Sequence, residues 1–113
     1  MARDILIVDD EADIRMLIAG VLGDEGFTTR EAANSDEALG HLRQRCPNLI
    51  VLDIWLQNSA LDGMQLLEPI QESYPDVPVV MISGHGNIET AVNAIKKGAF
   101  DFIEKPFKAD RLL

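Results

Sequence analysis

Asp4-Ile5-Leu6-Ile7-Val8-Asp9-Asp10-Glu11 sets the architecture. The run from 4 to 8 is continuously apolar after its first residue, with no period-two alternation. That is the pattern of a strand buried on both faces of a parallel sheet. It stops abruptly in three carboxylates. Beyond them Ile14, Leu17, Ile18, Val21 and Leu22 fall at i, i+3, i+4, i+7 and i+8, a stripe expected to face a core, and the helix should stop near Gly26.

The same alternation continues along the chain. Phe27 to Glu31 is the weakest strand, which suits an edge. Asn34 or Ser35 can cap a helix carrying Ala38, Leu39 and Leu42, closed by Pro47. Leu49 to Leu52 is a third strand leading into Asp53, and an unusually long loop runs from Ile54 to about Leu61. Asp62 with Gln65 predicts a capping box for a helix with Met64, Leu67 and Ile70 inward, kinked by Pro69. Val79 to Ile82 is a fourth strand, and a helix from about Asn87 carries Ile88, Ala91, Val92 and Ile95 and ends at Gly98. Phe100 to Glu104 is a fifth strand, and Lys108 to Leu113 begins a fifth helix that is cut short. Strands separated by helices predict βαβ units: an α/β fold with a parallel sheet and helices on both faces.

Composition limits the function. The chain has 113 residues, a single domain by length, and 19 acidic against 10 basic side chains give a net charge of −9. Nucleic-acid binding is driven by Lys and Arg on phosphates, so direct nucleic-acid contact is not expected. The single cysteine, Cys46, predicts a reducing, cytoplasmic setting. No apolar run approaches the roughly 18 residues of a membrane span. The start, Met1-Ala2-Arg3-Asp4 and a short apolar run ending in acids, is not expected to act as a secretory leader.

In open parallel sheets, ligands bind outside the carboxyl ends of the strands. Those ends here carry Asp9, Asp10 and Glu11, then Asp53, Ser83, and Glu104-Lys105-Pro106. Each alone has an ordinary explanation. Asp10 could cap the next helix, the loop could satisfy Asp53, Ser83 suits a turn, and most lysines are simply solvated.

Together they are harder to dismiss. Carboxylates about 5 Å apart repel by roughly 3 kcal/mol at an effective dielectric of 20, so converging acids call for a cation. Oxygen ligands without His or Cys select Mg²⁺, with Mn²⁺ as its substitute. A carboxylate within reach of a metal-held phosphoryl group is a nucleophile able to form an aspartyl phosphate. Lys105 and Ser83 supply the cation and hydroxyl that such a transfer needs for its equatorial oxygens. Neither G-x-G-x-x-G nor G-x-x-x-x-G-K-[ST] follows the first strand, which removes dinucleotide and P-loop readings. His85 in the Gly84-His85-Gly86 turn is expected to be an exposed loop histidine.

Ile-Leu-Ile-Val-Asp9-Asp10-Glu11, Val-Leu-Asp53, Ile-Ser83-Gly84 and Lys105-Pro106 jointly resemble the receiver domain of two-component response regulators, over essentially the whole chain, 1–113. The resemblance implies a flavodoxin-like (βα)5 doubly wound sheet in the order 2-1-3-4-5. It implies Asp53 as phosphoacceptor, and Asp9, Asp10, Asp53 and the Trp55 backbone carbonyl as Mg²⁺ ligands. Ser83 and Lys105 would contact the phosphoryl group, and Phe102 would be the switch aromatic. The implied partners are a sensor histidine kinase, output domains in a longer parent, and a second copy meeting the face made by the fourth helix, fifth strand and fifth helix. The segments 83–92 and 98–107 are similar to receivers of the NtrC and NtrX class, which control sigma-54-dependent transcription in nitrogen regulation through an ATPase domain and a DNA-binding domain. The loop 53–63 looks most like the NtrX type. It departs from the general receiver pattern, which has Met-Pro at Leu56-Gln57 and reaches its glycine two residues sooner.

Two alternatives compete with the switch. A Mg²⁺-dependent phosphohydrolase using Asp53 would resemble haloacid-dehalogenase-type phosphatases, but those carry an Asp where this chain has Trp55. A binding-only pseudo-receiver is disfavoured by the intact chemical positions.

Overall fold

The computed structural model describes residues 3–57, 59–83 and 88–104. Five parallel strands, β1 (Asp4–Val8), β2 (Thr28–Ala32), β3 (Leu49–Asp53), β4 (Val79–Ser83) and β5 (Asp101–Glu104), stand in the order β2-β1-β3-β4-β5. The helices α1 (Ala12–Asp24), α2 (Ser35–Gln44), α3 (Gly63–Ser73) and α4 (Ile88–Lys96) connect them in turn. The expected sheet order and the edge position of β2 are therefore borne out. Lys105, Pro106, His85, Asn87 and the expected fifth helix lie outside the described residues.

Alternation along the central strands divides the core between the two faces. Leu6, Val8, Ile50, Leu52 and Met81 pack with Ala38 and Leu42 of α2, with Leu66, Leu67 and Ile70 of α3, and with Ala94 of α4. Ile5, Ile7, Val51, Ile82 and Ile103 pack with Ile18 and Leu22 of α1. Fully burying each such side chain contributes about 1.5–3 kcal/mol, so the apolar strands hold the sheet and leave the polar ends to be placed by it.

Some local expectations are corrected. On α1 the buried line is Ile18 and Leu22 with Ile14 and Val21 half-buried, while Leu17 is 51% exposed. A single facing sheet covers only a narrow stripe, and the i+3 position at 17 falls outside it. The strand β2 begins at Thr28 rather than Phe27. The Phe27 N–H is spent closing α1 on the Leu22 carbonyl at 3.1 Å, and the Gly26 N–H bonds the Gly23 carbonyl at 3.0 Å. This C-terminal closure needs the left-handed backbone of Gly26, φ 92°. Likewise β5 starts at Asp101, leaving Phe100 74% exposed. The α3 capping box is present and Pro69 lies within that helix. Leu66 of α3 is buried as well as the expected Leu67 and Ile70, with Met64 half-buried.

At the amino-terminal edge of the sheet, Asp4 is 8% exposed and clamped. Arg30 reaches both of its carboxylate oxygens, and the Arg45 Nε lies 3.3 Å away. Arg30 also donates to the carbonyls of His41 and Arg45, tying β1 and β2 to the end of α2. Asn48 completes the arrangement, its Oδ1 accepting from the Asp4 N–H at 2.8 Å. Burial alone would raise the Asp4 carboxyl. Hydrogen bonds and charge from Arg30 and Arg45 outweigh it and hold the group below its ordinary value.

Candidate functional site

The opposite edge gathers the predicted acids. Val8 pairs with Leu52 and Asp53 with Ile82, so the residues that leave β1, β3 and β4 do so at nearly one level. One carboxylate oxygen from each of Asp9, Asp10 and Asp53 lies within 4.8 Å of the others. Asp9 is fully buried, Asp53 is 3% exposed and Asp10 is half-buried. Pairwise repulsion at that spacing is about 3 kcal/mol at a dielectric of 20.

Helix capping does not explain the cluster. Glu11 occupies the cap position of α1 and its side chain makes no cap bond. The Asp9 Oδ1 instead accepts from the Glu11 N–H at 2.9 Å, which turns the chain so that Asp10 follows over the sheet edge. The Trp55 N–H reaches the Asp53 Oδ1 at 3.3 Å, a long bond that ties the start of the loop back to the carboxylate. Ser83 is fully buried at the end of β4, one residue beyond Ile82, the register partner of Asp53. Trp55 is 46% exposed, and Phe102, on β5, is half-buried against the larger core.

The donor set suits a hard cation. It offers carboxylate oxygens within a span that one ion and part of its water shell can bridge, and among the described residues no imidazole or thiolate belongs to the cluster. Mg²⁺ fits such residues, with Mn²⁺ as the substitute.

Sequence reasoning missed the roles of four residues. Gly63 begins α3 directly against the phosphoacceptor candidate. A Cβ there would overlap the Asp53 carbonyl oxygen and sit 2.7 Å from the Ile54 Cα, and the Gly63 N–H bonds the Ile54 carbonyl at 2.8 Å. No local sequence signal marks that approach beyond the glycine itself. Arg15 donates to the Asp9 carbonyl at 2.6 Å while its Nε meets Glu31 at 3.3 Å, bracing the acidic turn from α1. Ser35 and Ser59 join the long loop to α2: the Ser35 N–H donates to the Ser59 Oγ at 2.8 Å, and the Leu61 N–H donates to the Ser35 Oγ at 3.2 Å.

The model of the response regulator receiver domain matches residues 5–113. This chain belongs to that family. The receiver is 66% identical, over its full length, to 25% of the nitrogen assimilation regulatory protein NtrX of Azorhizobium caulinodans. It superimposes on the crystal structure of the NtrX receiver domain from Brucella abortus with a TM-score of 0.93 at 65% identity, covering 96% of this chain and 91% of that one. The solution structure of a beryllofluoride-activated NtrC4 receiver domain dimer matches with a TM-score of 0.88 at 40% identity, covering 96% and 88%. The chain thus spans about a quarter of the curated NtrX relative. It is a phosphorylatable signalling module of the NtrX and NtrC kind, a signalling switch. Among the described residues no helix is long and apolar enough to cross a membrane.

Proposed function

We propose that Asp53 is the phosphoacceptor of this receiver and that a sensor histidine kinase is the donor. The observation that carries the reading is the convergence of Asp9, Asp10 and Asp53 within 4.8 Å at the carboxyl edge of a receiver sheet. The Asp53 carboxylate oxygen attacks phosphorus, the bond from phosphorus to the kinase imidazole nitrogen breaks, and the electron pair returns to the ring. Asp9, Asp10, Asp53 and the Trp55 backbone carbonyl would hold Mg²⁺, or Mn²⁺ in its place. The bound ion supplies positive charge for the phosphoryl oxygens. The Ser83 hydroxyl and the Lys105 ammonium orient and neutralise the transferred group.

The new charge biases two packings that differ by only a few kcal/mol, with Ser83 and Phe102 as the moving parts. The surface that changes is formed by α4, β5 and the segment after it. Val92 and Ile95 are exposed on α4 and Phe100 lies just before β5, apolar groups suited to meeting a second copy. The activated NtrC4 receiver dimer supports that output. In a longer parent the switch controls an ATPase domain and a DNA-binding domain acting on sigma-54-dependent nitrogen genes in the cytoplasm. The similarity to NtrX supports this context.

Incubation with radiolabelled acetyl phosphate and Mg²⁺ tests the assignment. The unsubstituted chain takes up acid-stable, base-labile label and Asp53→Asn takes up none. Undiminished labelling of Asp53→Asn overturns it.

A further inference from the structure

The loop from Ile54 to Asp62 is fastened at both ends. At the near end Ile54 is fully buried, its N–H bonds the Ile82 carbonyl at 3.0 Å, and its carbonyl accepts the Gly63 N–H. At the far end the Ser59 Oγ accepts the Ser35 N–H at 2.8 Å and donates its own proton to the Leu61 carbonyl at 2.7 Å. The Leu61 N–H then returns to the Ser35 Oγ. Ser35 is the first residue of α2 and fully enclosed at 1% exposure. Its N–H is one of the helix donors with no partner inside the helix. Asn34 caps a different donor, the Glu37 N–H, so Ser59 satisfies a group that α2 itself leaves open.

Trp55 stands between the two fastenings with its side chain half in solvent, so the indole is a weak anchor for its own backbone. We propose that the Ser35 to Ser59 clasp is a positioning device for the site, holding the backbone of Trp55 and of residues 59–62 in the arrangement that metal binding and phosphoryl acceptance at Asp53 require. The inference rests on the phosphoacceptor reading above. Ser59 touches neither metal nor phosphoryl group, and acts through the loop. Without the clasp the loop samples more conformations, and binding must reorder them.

Calorimetric titration with Mg²⁺ and labelling by acetyl phosphate, each on the 113-residue chain, test it. Ser59→Ala is expected to weaken Mg²⁺ by about tenfold, the low end for residues that support metal ligands, and to slow labelling in parallel. Ser59→Thr, which keeps the hydroxyl, restores both. Ser35→Ala removes the other half of the clasp and gives a loss of similar size, and the double variant loses no more than either single one. Unchanged Mg²⁺ affinity and labelling in Ser59→Ala and Ser35→Ala, with or without a lower melting temperature, overturns the proposal and leaves Asp53 in its role. If the unsubstituted chain neither binds Mg²⁺ nor takes label, the phosphoacceptor reading itself fails.

Discussion

The two edges of the sheet treat carboxylates in opposite ways. At the amino-terminal edge a single acid, Asp4, is held by two guanidinium groups and an asparagine, and its carboxyl is driven below the ordinary range. At the carboxyl edge Asp9, Asp10 and Asp53 are pressed to within 4.8 Å of one another. Both clusters are largely buried, and both lie where strands meet loops. The first spends its charge on holding β1, β2 and α2 together. The second concentrates like charge, which on the proposed function an incoming cation and phosphoryl group would use.

Gly63 offers the most severe way to break the carboxyl edge. Its missing Cβ is what allows α3 to start against the Asp53 carbonyl, and the neighbours are backbone atoms that cannot swing aside. Gly63→Ala is expected to cost 3 kcal/mol or more, at the upper end for overpacking, as measured by urea unfolding. Acetyl phosphate labelling should fall with it, because the displaced atoms belong to Asp53 and Ile54. A variant as stable as the parent would show that α3 can be moved off the site at little cost.

Asp4 probes the other edge. Removing its charge by Asp4→Asn leaves Arg30, whose side chain is only 14% exposed, without its anionic partner. A loss of about 2 kcal/mol is expected, between the values for exposed and buried pairs. The pH dependence follows from the sign of the shift. The carboxyl titrates lower in the folded chain than its ordinary value of 3.8, so its stabilisation is complete above that value and disappears as pH falls through the folded one. The parent chain should therefore lose stability below pH 3.8 by a component that Asp4→Asn lacks. Parallel acid-unfolding curves for the two proteins would rule out the clamp as its source.

The legible parts of the molecule were those governed by local pattern. Continuous apolar runs marked β1, β3 and β4, weaker segments at 27–31 and 100–104 marked the two edge strands, and the polar strand ends marked Asp9, Asp10 and Asp53 as a group, because a parallel sheet brings strand ends together whatever the side chains are. The Asp62 to Gln65 capping box was equally visible, its chemistry being complete within four residues. What escaped depends on distant partners. Leu17 fits the helical period but not the width of the surface it meets. Gly63 resembles any other glycine until the Asp53 backbone is placed behind it. Ser35 and Ser59 are 24 residues apart and carry no motif, so their pairing emerges only once the loop is laid beside α2.

Asp10 gives the smallest effect and the sharpest contrast. It is the half-buried member of the triad, and Asp10→Asn removes its repulsion with Asp9 and Asp53 while nearly preserving shape. Partial solvent screening reduces the gain to about 1 kcal/mol, read as a higher urea midpoint in EDTA. At the amino-terminal edge the equivalent change destabilises, so the sign alone distinguishes charge that builds the fold from charge that serves a ligand. Saturating Mg²⁺ should reverse the order. The parent gains stability as RT ln(1 + [L]/Kd), and the variant, with a weakened site, gains less. If Asp10→Asn is less stable than the parent even in EDTA, the carboxyl edge is a structural network like the one around Asp4, and the cost of holding three acids together has been misjudged.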